Sequence, residues 1–414
     1  MAHIKFEMTD TAIQYHTLPN GMRIVASTTR LPVEHCGVVI NAGSRDESPE
    51  IHGLAHFVEH TIFKGTGSHR AAFVRDRMEL VGGELNAYTT KEETAIYSTF
   101  PAGHLERALS LIAEMVIDAN FPEAELAKEK LVVGEEIDTY LDTPADAIFD
   151  DFEDIIYEGS SLSHNILGTR ESLSRFDSST CRKWLEDRFT PGRTVFFYSG
   201  PTAPEKVFSL AEKHFKGFTR HDKPLDREIP RINPTFSRTN DSRESFQAHT
   251  VIGTRIPGLL SPNRLDLSLL ANIIGGPGMN SLLNVALRER HGLVYTIDAS
   301  TSMMSDNGLL TIYFGCDPDD VKRCLRLIDR VILPLVDTPF SQRKLEAAKR
   351  QFIGQLTVGS VNSEQVAISM GRNMLYRGTT RTLRETIEAV QAITPESILA
   401  AARPLAESSR LTLK

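Results

Sequence analysis

Little in this sequence favours binding to nucleic acid or insertion into a membrane. The net charge is −8 and no basic stripe with interleaved aromatic residues is present, so a polyanionic partner is not expected. No apolar run reaches the roughly 20 residues that span a bilayer, and residues 1–7 lack the apolar core of a secretory signal. We therefore expect a cytoplasmic protein that binds neither nucleic acid nor membrane.

Cysteine is also scarce, with four residues in the whole chain. None of them forms the short-range pairs of a zinc knuckle, and scattered cysteines in a chain of this size are most simply free, buried thiols. The four are Cys36, Cys181, Cys316 and Cys324. With 41% apolar and 24% charged residues the composition is that of an ordinary globular protein. A length of 414 residues exceeds what one core accommodates, so we expect two domains.

The densest group of chemically useful side chains is His56, Glu59 and His60. A serine–proline pair upstream and a glycine downstream predict a helix over about 52–63. On that helix the two histidines share a face and Glu59 lies beside them. Zinc accepts neutral imidazoles in this arrangement, and a carboxylate that is not a ligand can take a proton from water on the metal. The order His-x-x-Glu-His is the inverzincin signature.

Two histidines on one helix are, by themselves, more often structural than metal-binding. His52 illustrates the difference, because it also lies four positions before His56. No carboxylate separates those two histidines, and Gly53 indicates a helix start between them. We interpret His52 as a structural or supporting residue.

A helix predicted over 123–141 offers the acidic third ligand that the motif needs. Glu129 and Glu136 are two turns apart and share a face, whereas Glu135 is rotated by about 100°. Glu136 with Glu129 is therefore the better pair. Gly134 costs this helix up to about 1 kcal/mol, which predicts the close approach of another element at that turn.

The amino-acid composition of the chain changes after residue 220, where charged residues and prolines become frequent. We interpret residues 221–245 as a linker between an N-terminal metal-binding domain, 1–220, and a C-terminal domain without metal, 246–414. The two halves share an order of elements at an offset of roughly 210–215 residues. That offset places the counterpart of the metal helix at residues 266–275, which contain no histidine.

These features together resemble the pitrilysin family of zinc metallopeptidases, in particular its short bacterial members related to mitochondrial processing peptidase. The resemblance covers essentially the whole chain, and Gly134 departs from it because a larger residue is usual there. The motifs that carry it are His56-x-x-Glu59-His60 followed after 76 residues by Glu136, Leu18-Pro-Asn-Gly, Phe63-Lys-Gly-Thr, Asn86-Ala-Tyr-Thr, Val132-Val-Gly-Glu-Glu-Ile, Gly275-Gly-Pro-Gly and Leu287-Arg-Glu-Arg-His-Gly-Leu-Val-Tyr295.

The resemblance implies an α+β fold of two homologous domains. Each would have a mostly antiparallel sheet of about six strands with helices packed on one face. It also implies one zinc ion per chain, with His56, His60 and Glu136 as the ligands and Glu59 as the general base.

Other residues are implied to support the metal site or hold substrate. Glu129 would be an acidic neighbour of the ligands, and Arg288 and Tyr295 of the second domain would hold substrate near the scissile bond. Asn86 and Ala87 lie in a strand that is either an exposed edge, where an extended peptide adds by backbone hydrogen bonds, or a plain sheet strand.

The implied activity is zinc-dependent endopeptidase hydrolysis of unfolded peptides or presequence-like segments. The reaction would take place inside a chamber closed by two such units, in a homodimer or in a heterodimer with a related subunit. Two alternatives stay open: a non-catalytic subunit that binds peptides or scaffolds a heterodimeric peptidase, and a metal hydrolase that does not cleave peptides. Manganese or iron fits the same ligands as zinc.

Overall fold

The computed structural model describes residues 12–240 and 246–414. Within them the strands form two separate sheets of six and five strands. The strands are β1 (Ile13–Thr17), β2 (Arg23–Thr28), β3 (Val33–Ile40), β4 (Glu84–Thr89), β5 (Thr94–Pro101), β6 (Thr194–Gly200), β7 (Ser237–Asn240), β8 (Ala248–Pro257), β9 (Val294–Met303), β10 (Asn307–Cys316) and β11 (Ser409–Leu413).

Helices connect the strands, and a π-helical segment over Asn284–Glu289 precedes β9. The helices are α1 (Leu54–Thr61), α2 (Ala71–Glu79), α3 (Leu105–Asp118), α4 (Glu123–Leu141), α5 (Pro144–Ile156), α6 (Arg170–Arg175), α7 (Ser178–Arg188), α8 (Pro204–Phe215), α9 (Arg264–Gly275), α10 (Val321–Asp337), α11 (Gln342–Gly359), α12 (Ser363–Arg377), α13 (Leu383–Gln391) and α14 (Pro395–Ala402).

The described residues divide into two compact units, and each unit combines segments from distant parts of the sequence. Unit 1 comprises the residues up to Ile137, Asn165–Arg227 and Gly359–Thr386; unit 2 comprises Asp138–His164, Glu228–Val358 and Ile387–Lys414. The predicted linker changes unit after Arg227, and its residues 241–245 lie outside the described residues. The limits 1–220, 221–245 and 246–414 for two domains and a linker remain a prediction.

Unit 1 is built on the six-stranded sheet, whose order is β1-β2-β6-β3-β5-β4. Its strands are antiparallel except for the parallel pair of β2 with β6. The central strands β3 and β6 are almost wholly buried along their length. A strand buried on both faces needs apolar residues at successive positions, which explains runs such as Val38, Val39 and Ile40.

Different helices cover the two faces of this sheet. On one face, α1, α3 and α8 complete a core that includes Val38 and Ile40. On the other face, α12 packs across β6 and β3 and buries Ile368 and Met370 against a layer that contains Val39. Gly371 permits this contact, because a Cβ atom there would lie 2.7 Å from a ring carbon of Phe197.

Unit 2 repeats the plan in its five-stranded sheet, of order β7-β11-β8-β10-β9. Its one parallel pair among the described strands is β7 with β11. One face is covered by α9, α10 and α14. The other is covered by α5, whose Ile148, Phe152 and Ile156 pack in a layer with Val251 and Leu309.

The α+β fold with two related sheets is confirmed, and two details of the sequence-based picture change. The second sheet has five strands where about six are expected. Each sheet is covered on both faces, since α12 and α5 pack on the second face of the unit 1 and unit 2 sheets. Both of these helices come from segments far away in sequence. The cysteines are free and buried, as predicted. Within residues 12–240 and 246–414, no helix has the length and apolarity that crossing a membrane demands.

Candidate metal centre

The metal motif lies on α1, which follows the central strand β3 in unit 1. The residue before the helix is Gly53, with φ at +93°, where a side chain is strained. A Cβ atom on Gly53 would lie 2.5 Å from the carbonyl oxygen of Leu167, and one on Gly168 would lie 2.2 Å from that of His52. Backbone-to-backbone packing therefore fixes where α1 begins, at Leu54.

The amphipathic character of α1 orients the motif. Leu54, Phe57 and Val58 are fully buried in the core of unit 1, where each contributes about 1.5–3 kcal/mol by leaving water. Glu59 and His60 lie on the half-buried side of the helix. The apolar face thus holds the functional face towards α4 and β4.

His56, His60 and Glu136 come together, as the sequence predicts for a ligand set. The Nε2 atom of His60 lies 3.3 Å from one Glu136 carboxylate oxygen, and the Nε2 atom of His56 lies 3.7 Å from the other. One ligand atom from each of the three residues falls within 4.8 Å of the others. Ligands of a tetrahedral zinc ion with bonds of about 2.0–2.1 Å lie about 3.4 Å apart, so this donor set fits zinc.

The protonation of His56 also suits a metal ligand. Its side chain is buried, and burial, with the nearby His60 as a smaller cause, lowers its pKa from 6.5 to about 3. The imidazole is therefore neutral at physiological pH, which is the form that binds zinc. Its Nδ1 atom is buried and has no hydrogen-bond partner in the part of the chain that the structure describes, while its Nε2 atom faces Glu136.

Glu129 lies on the same face of α4 as Glu136. It contacts the candidate ligand His60 through the ring nitrogen that points away from the cluster. The Nδ1 atom of His60 lies 3.0 Å from a carboxylate oxygen of Glu129, and Lys64 Nζ lies 2.6 Å from the other oxygen. An ionised carboxylate accepts hydrogen bonds only, so His60 donates through Nδ1 and keeps Nε2 for a metal. Helical spacing predicts the position of Glu129, whereas no sequence pattern indicates Lys64.

The approach predicted at Gly134 is present in α4. A Cβ atom at this position would lie 2.6 Å from Nη1 of Arg170, at the start of α6. Glu135, the competing third ligand, is exposed and is not part of the three-residue cluster. The preference for Glu136 on helical spacing therefore agrees with the geometry.

Glu59 lies beside the cluster without belonging to it. Burial raises the pKa of this carboxyl above its usual value, and the neighbouring Thr89 on β4 and His60 oppose the rise. A raised pKa makes a carboxylate a better proton acceptor, which is the property that a general base needs.

The strand next to Glu59, β4, is an edge strand. Among residues 12–240 and 246–414 it pairs with β5 alone, and the β4 residues Asn86 and Ala87 lie opposite Tyr97 and Ile96. The side chain of Asn86 is exposed and that of Ala87 is half-buried. Of the two interpretations of this segment, the exposed edge is the one that the sheet order supports.

Arg288 and Tyr295 belong to unit 2, where they lie close together. Arg288 is on the π-helical segment and Tyr295 is the second residue of β9; both are exposed, Tyr295 by 84%. They line one cavity of about 350 Å³ together with Gln247, Cys316 and Asp317. Unit 2 therefore presents a cation and a phenol at one opening.

Glu47 supports the start of α1, and no sequence motif indicates this role. Both carboxylate oxygens of the buried Glu47 accept backbone N–H groups at the start of the helix, from Gly53 at 2.8 Å and from Ala55 at 2.6 Å. Helix-capping acids normally stand within three residues of the N–H groups that they bind. Glu47 is six positions before Gly53, so a sequence pattern does not reveal it.

Comparisons with known proteins place the chain in a family of peptidases. Residues 24–170 match the family model "Insulinase (Peptidase family M16)", and residues 176–352 match "Peptidase M16 inactive domain". The chain is 33% identical over 394 residues to an uncharacterized zinc protease of Bacillus subtilis (strain 168), covering 95% of both chains. It is 31% identical over 395 residues to an uncharacterized zinc protease of Mycobacterium leprae (strain TN), covering 94% of this chain and 88% of that protein.

Solved structures show the same fold. A peptidase M16 inactive domain from Pseudomonas fluorescens superposes with a TM-score of 0.90 at 18% identity, covering 97% of each chain. A protease from Helicobacter pylori superposes with a TM-score of 0.89 at 19% identity, covering 98% of this chain and 99% of that one. Together with the sequence matches along nearly the whole chain, these findings establish that the protein belongs to peptidase family M16, the insulinase or pitrilysin family of zinc metallopeptidases.

Proposed function

We propose that this protein is a zinc-dependent endopeptidase that hydrolyses unfolded peptides or presequence-like segments, with one zinc ion per chain. The observation that carries the proposal is the cluster of His56, His60 and Glu136, with ligand atoms within 4.8 Å of one another. Glu59 stands one residue from a ligand and outside the ligand set. A site of three ligands and a free carboxylate is the arrangement of a hydrolytic zinc centre.

The chain's own residues would divide the work of hydrolysis. Zinc, when bound, makes water acidic enough to lose a proton near pH 7 and polarises the peptide carbonyl. Glu59 receives the proton on a carboxylate oxygen and then donates it to the leaving amine. Glu129 holds His60 in the tautomer that leaves Nε2 free, and Lys64 holds Glu129.

Substrate would add to the edge of the sheet in unit 1. An extended peptide can pair with β4 through the backbone groups around Asn86 and Ala87, which selects for unfolded segments. Arg288 and Tyr295 of unit 2 would bind the substrate carbonyls near the scissile bond, as donors to oxygens that gain negative charge in the reaction. We further propose that two such chains, or this chain and a related subunit, enclose the substrate in a cytoplasmic chamber.

Digestion of an unstructured peptide, such as a casein fragment, with and without a chelator tests the proposal. We expect cleavage that stops when the metal is removed and returns when zinc is added. Glu59→Gln should retain zinc and lose cleavage, because it removes the proton acceptor and keeps the ligands. Glu136→Gln should lose zinc, whereas its neighbour Glu135→Gln, the matched control, should keep both zinc and activity. Full activity of Glu59→Gln, or in chelator, would contradict the proposal.

A second candidate is a non-catalytic subunit that binds peptides. It is favoured by one finding, the match of residues 176–352 to the model of the inactive M16 domain. The complete ligand set in the first half opposes it. Binding of the casein fragment without any cleavage in the presence of zinc, and cleavage only after a related subunit is added, would support this alternative.

A further inference from the structure

The segment Gly43–Glu47 joins β3 to α1 and touches two separate parts of the proposed site. At its end it holds the metal-binding helix, and at its start it holds the turn that connects the edge strand β4 to β5. Its residues Ser44 and Arg45 are fully buried, and Glu47 is 6% exposed. A buried connection between two elements fixes their distance, whereas an exposed loop does not.

Glu47 is the contact to the metal-binding helix. Its carboxylate accepts the N–H groups of Gly53 and Ala55 on two different oxygens, which fixes both the axial position and the rotation of the first turn of α1. Burial raises the pKa of Glu47 well above its usual value, while these two N–H groups and Lys91 lower it again. His56 follows Ala55 directly, so a shift of this turn is a shift of the first ligand.

Backbone and side chain of the same segment hold the β4–β5 turn. Ser44 N–H donates to the carbonyl of Thr90 at 3.2 Å, and Arg45 N–H donates to that of Lys91 at 2.7 Å. The buried Arg45 guanidinium pairs with Glu92 at 2.6 Å. A Cβ atom on Gly43 would lie 2.4 Å from the carbonyl oxygen of Thr90, so the two segments are in backbone contact.

The β4–β5 turn also positions the end of the edge strand β4. The hydroxyl of Tyr88 on β4 donates to Glu93 at 3.0 Å, and Arg372 of α12 pairs with the same carboxylate. Thr89, between Tyr88 and the turn, is the β4 residue that faces Glu59. The turn is therefore connected both to the strand proposed to bind peptide and to the proposed general base.

We propose that the segment Gly43–Glu47 is a positioning bracket that sets the metal-binding helix against the substrate-binding edge. Glu47 positions the ligands and the base through α1, and Arg45 with Glu92 positions β4. The bracket carries no group that touches substrate. Its effect on catalysis rests on the proposed function, whereas its effect on the local stability of α1 and of the turn is independent of that function.

Two variants separate the two ends of the bracket. Glu47→Gln replaces one of the two acceptor oxygens with an amide donor, so we expect roughly tenfold weaker zinc binding and a lower kcat, with KM nearly unchanged. Arg45→Met releases the turn, so we expect KM for the casein fragment to rise roughly tenfold while the zinc content stays the same. Glu47→Asp and Arg45→Lys, which keep the charge, should restore part of each loss.

Glu34→Gln is the matched control, because Glu34 is another fully buried carboxylate of unit 1. It accepts the backbone N–H of Gly103 at 3.0 Å and the hydroxyl of Tyr198 at 2.7 Å, and these partners lie outside the bracket. We expect this variant to lower the unfolding temperature as Glu47→Gln does, without changing zinc affinity or KM. If all three variants differ from the wild type in stability alone, the bracket is a structural feature only and the proposal is overturned.

Hydrogen exchange of the metal-free protein tests the bracket independently of activity. Glu47→Gln should accelerate exchange in α1, over residues 54–61, and Arg45→Met should accelerate it in the turn, over residues 90–93. Uniform acceleration across unit 1, or none at either place, would overturn the bracket. Selective acceleration in a protein that neither binds zinc nor cleaves peptide would support the bracket and refute the proposed function, so the two failures are distinguishable.

Discussion

The two sheets of this protein share their strand order apart from the additional edge strand β1 of unit 1, and the unit 1 sheet carries the candidate metal centre. In each sheet, the strand that comes last in sequence has one parallel and one antiparallel neighbour. In unit 1, β6 is parallel to β2 and antiparallel to β3; in unit 2, β11 is parallel to β7 and antiparallel to β8. Thus β6, β3, β5 and β4 of unit 1 correspond in order to β11, β8, β10 and β9 of unit 2. The helix after β3 is α1 and the helix after β8 is α9. The comparison isolates what a metal site requires beyond the fold.

The helices α1 and α9 share their packing role and differ in their chemistry. Leu267, Leu270 and Ile274 bury one face of α9 in the core of unit 2, as the apolar face of α1 does in unit 1. The end of α9 is packed tightly on the sheet, since a Cβ atom on Gly275 would lie 2.6 Å from the backbone nitrogen of Ala299 on β9. In unit 1 the strand that corresponds to β9 is β4, and there the carboxyl of Glu59 on α1 faces the strand. The fold is thus maintained by the apolar face alone, and ligands are an addition to it.

The largest effect is expected when α1 is given the apolar character of α9. Replacing His56 and His60 together by leucine should abolish zinc binding and lower peptide cleavage by at least about 10³-fold, because the metal supplies most of the electrostatic catalysis. Apolar side chains at buried or half-buried helical positions are tolerated by the core, so the circular dichroism spectrum should be unchanged. Zinc content and turnover would be measured on the same preparation; retention of zinc would mean that other residues bind it.

Glycine-to-alanine substitutions in the two units should differ in how much they destabilise the protein. Gly53→Ala should destabilise unit 1 by about 3 kcal/mol, because it combines a strained φ with a contact of 2.5 Å to Leu167. Gly292→Ala in unit 2 has a similar positive φ of +62° but open space around the new methyl group, and should cost only about 1 kcal/mol. Urea unfolding of the two variants checks the difference, and equal losses would show that the packing at Gly53 is relaxed in solution.

Acid should destabilise unit 1 through the buried His56. The pKa of His56 is lowered to about 3 in the folded protein, so the unfolded chain binds a proton more readily between the ordinary value of 6.5 and about 3. The contribution of this neutral histidine to stability is therefore complete above pH 6.5 and is lost as the pH falls towards 3. Thermal unfolding of the metal-free protein at pH 7 and pH 5 should show a smaller decrease for His56→Gln than for the wild type. An identical decrease would contradict the assigned pKa.

The smallest effect is expected at Lys64, which supports the site from outside the ligand set. Lys64→Met removes the cation that holds Glu129 at 2.6 Å, and we expect zinc affinity to fall by about tenfold or less. Lys64→Arg should recover most of the affinity. Lys128→Met is the control, because Lys128 pairs on the same helix with Glu125, away from the cluster. An effect equal to that of the control would show that Lys64 is not coupled to the metal centre.

The helices that carry the candidate metal centre are predictable from the sequence, since they depend on local spacing. The predicted bounds 123–141 for the α4 helix agree with the structure, and the spacing of Glu129, Glu135 and Glu136 favours Glu136, the residue that the structure brings next to His56 and His60, as the candidate third ligand. The start of α1 was predicted about two residues too early, because the left-handed Gly53 and its contact with Leu167 determine it and neither is evident from helical periodicity.

Features that depend on distant segments were not predictable. Glu47 supports α1 across a gap that no capping pattern covers, and Lys64 binds a carboxylate 65 positions away in sequence. The covering of each sheet by α5 or α12 has the same cause. Their apolar faces predict that each helix is buried, but periodicity does not say against which sheet.

The placement of α12 has a consequence for the order in which the chain can fold during synthesis. The second face of the unit 1 sheet is covered by residues 363–377, so it stays bare until most of the 414 residues have left the ribosome. By contrast, α5 of unit 2 is made long before the strands it covers. The six-stranded sheet of unit 1 therefore cannot be covered on both faces before most of unit 2 has been made, and the proposed cleavage of unfolded polypeptide would be withheld until the chain is nearly finished.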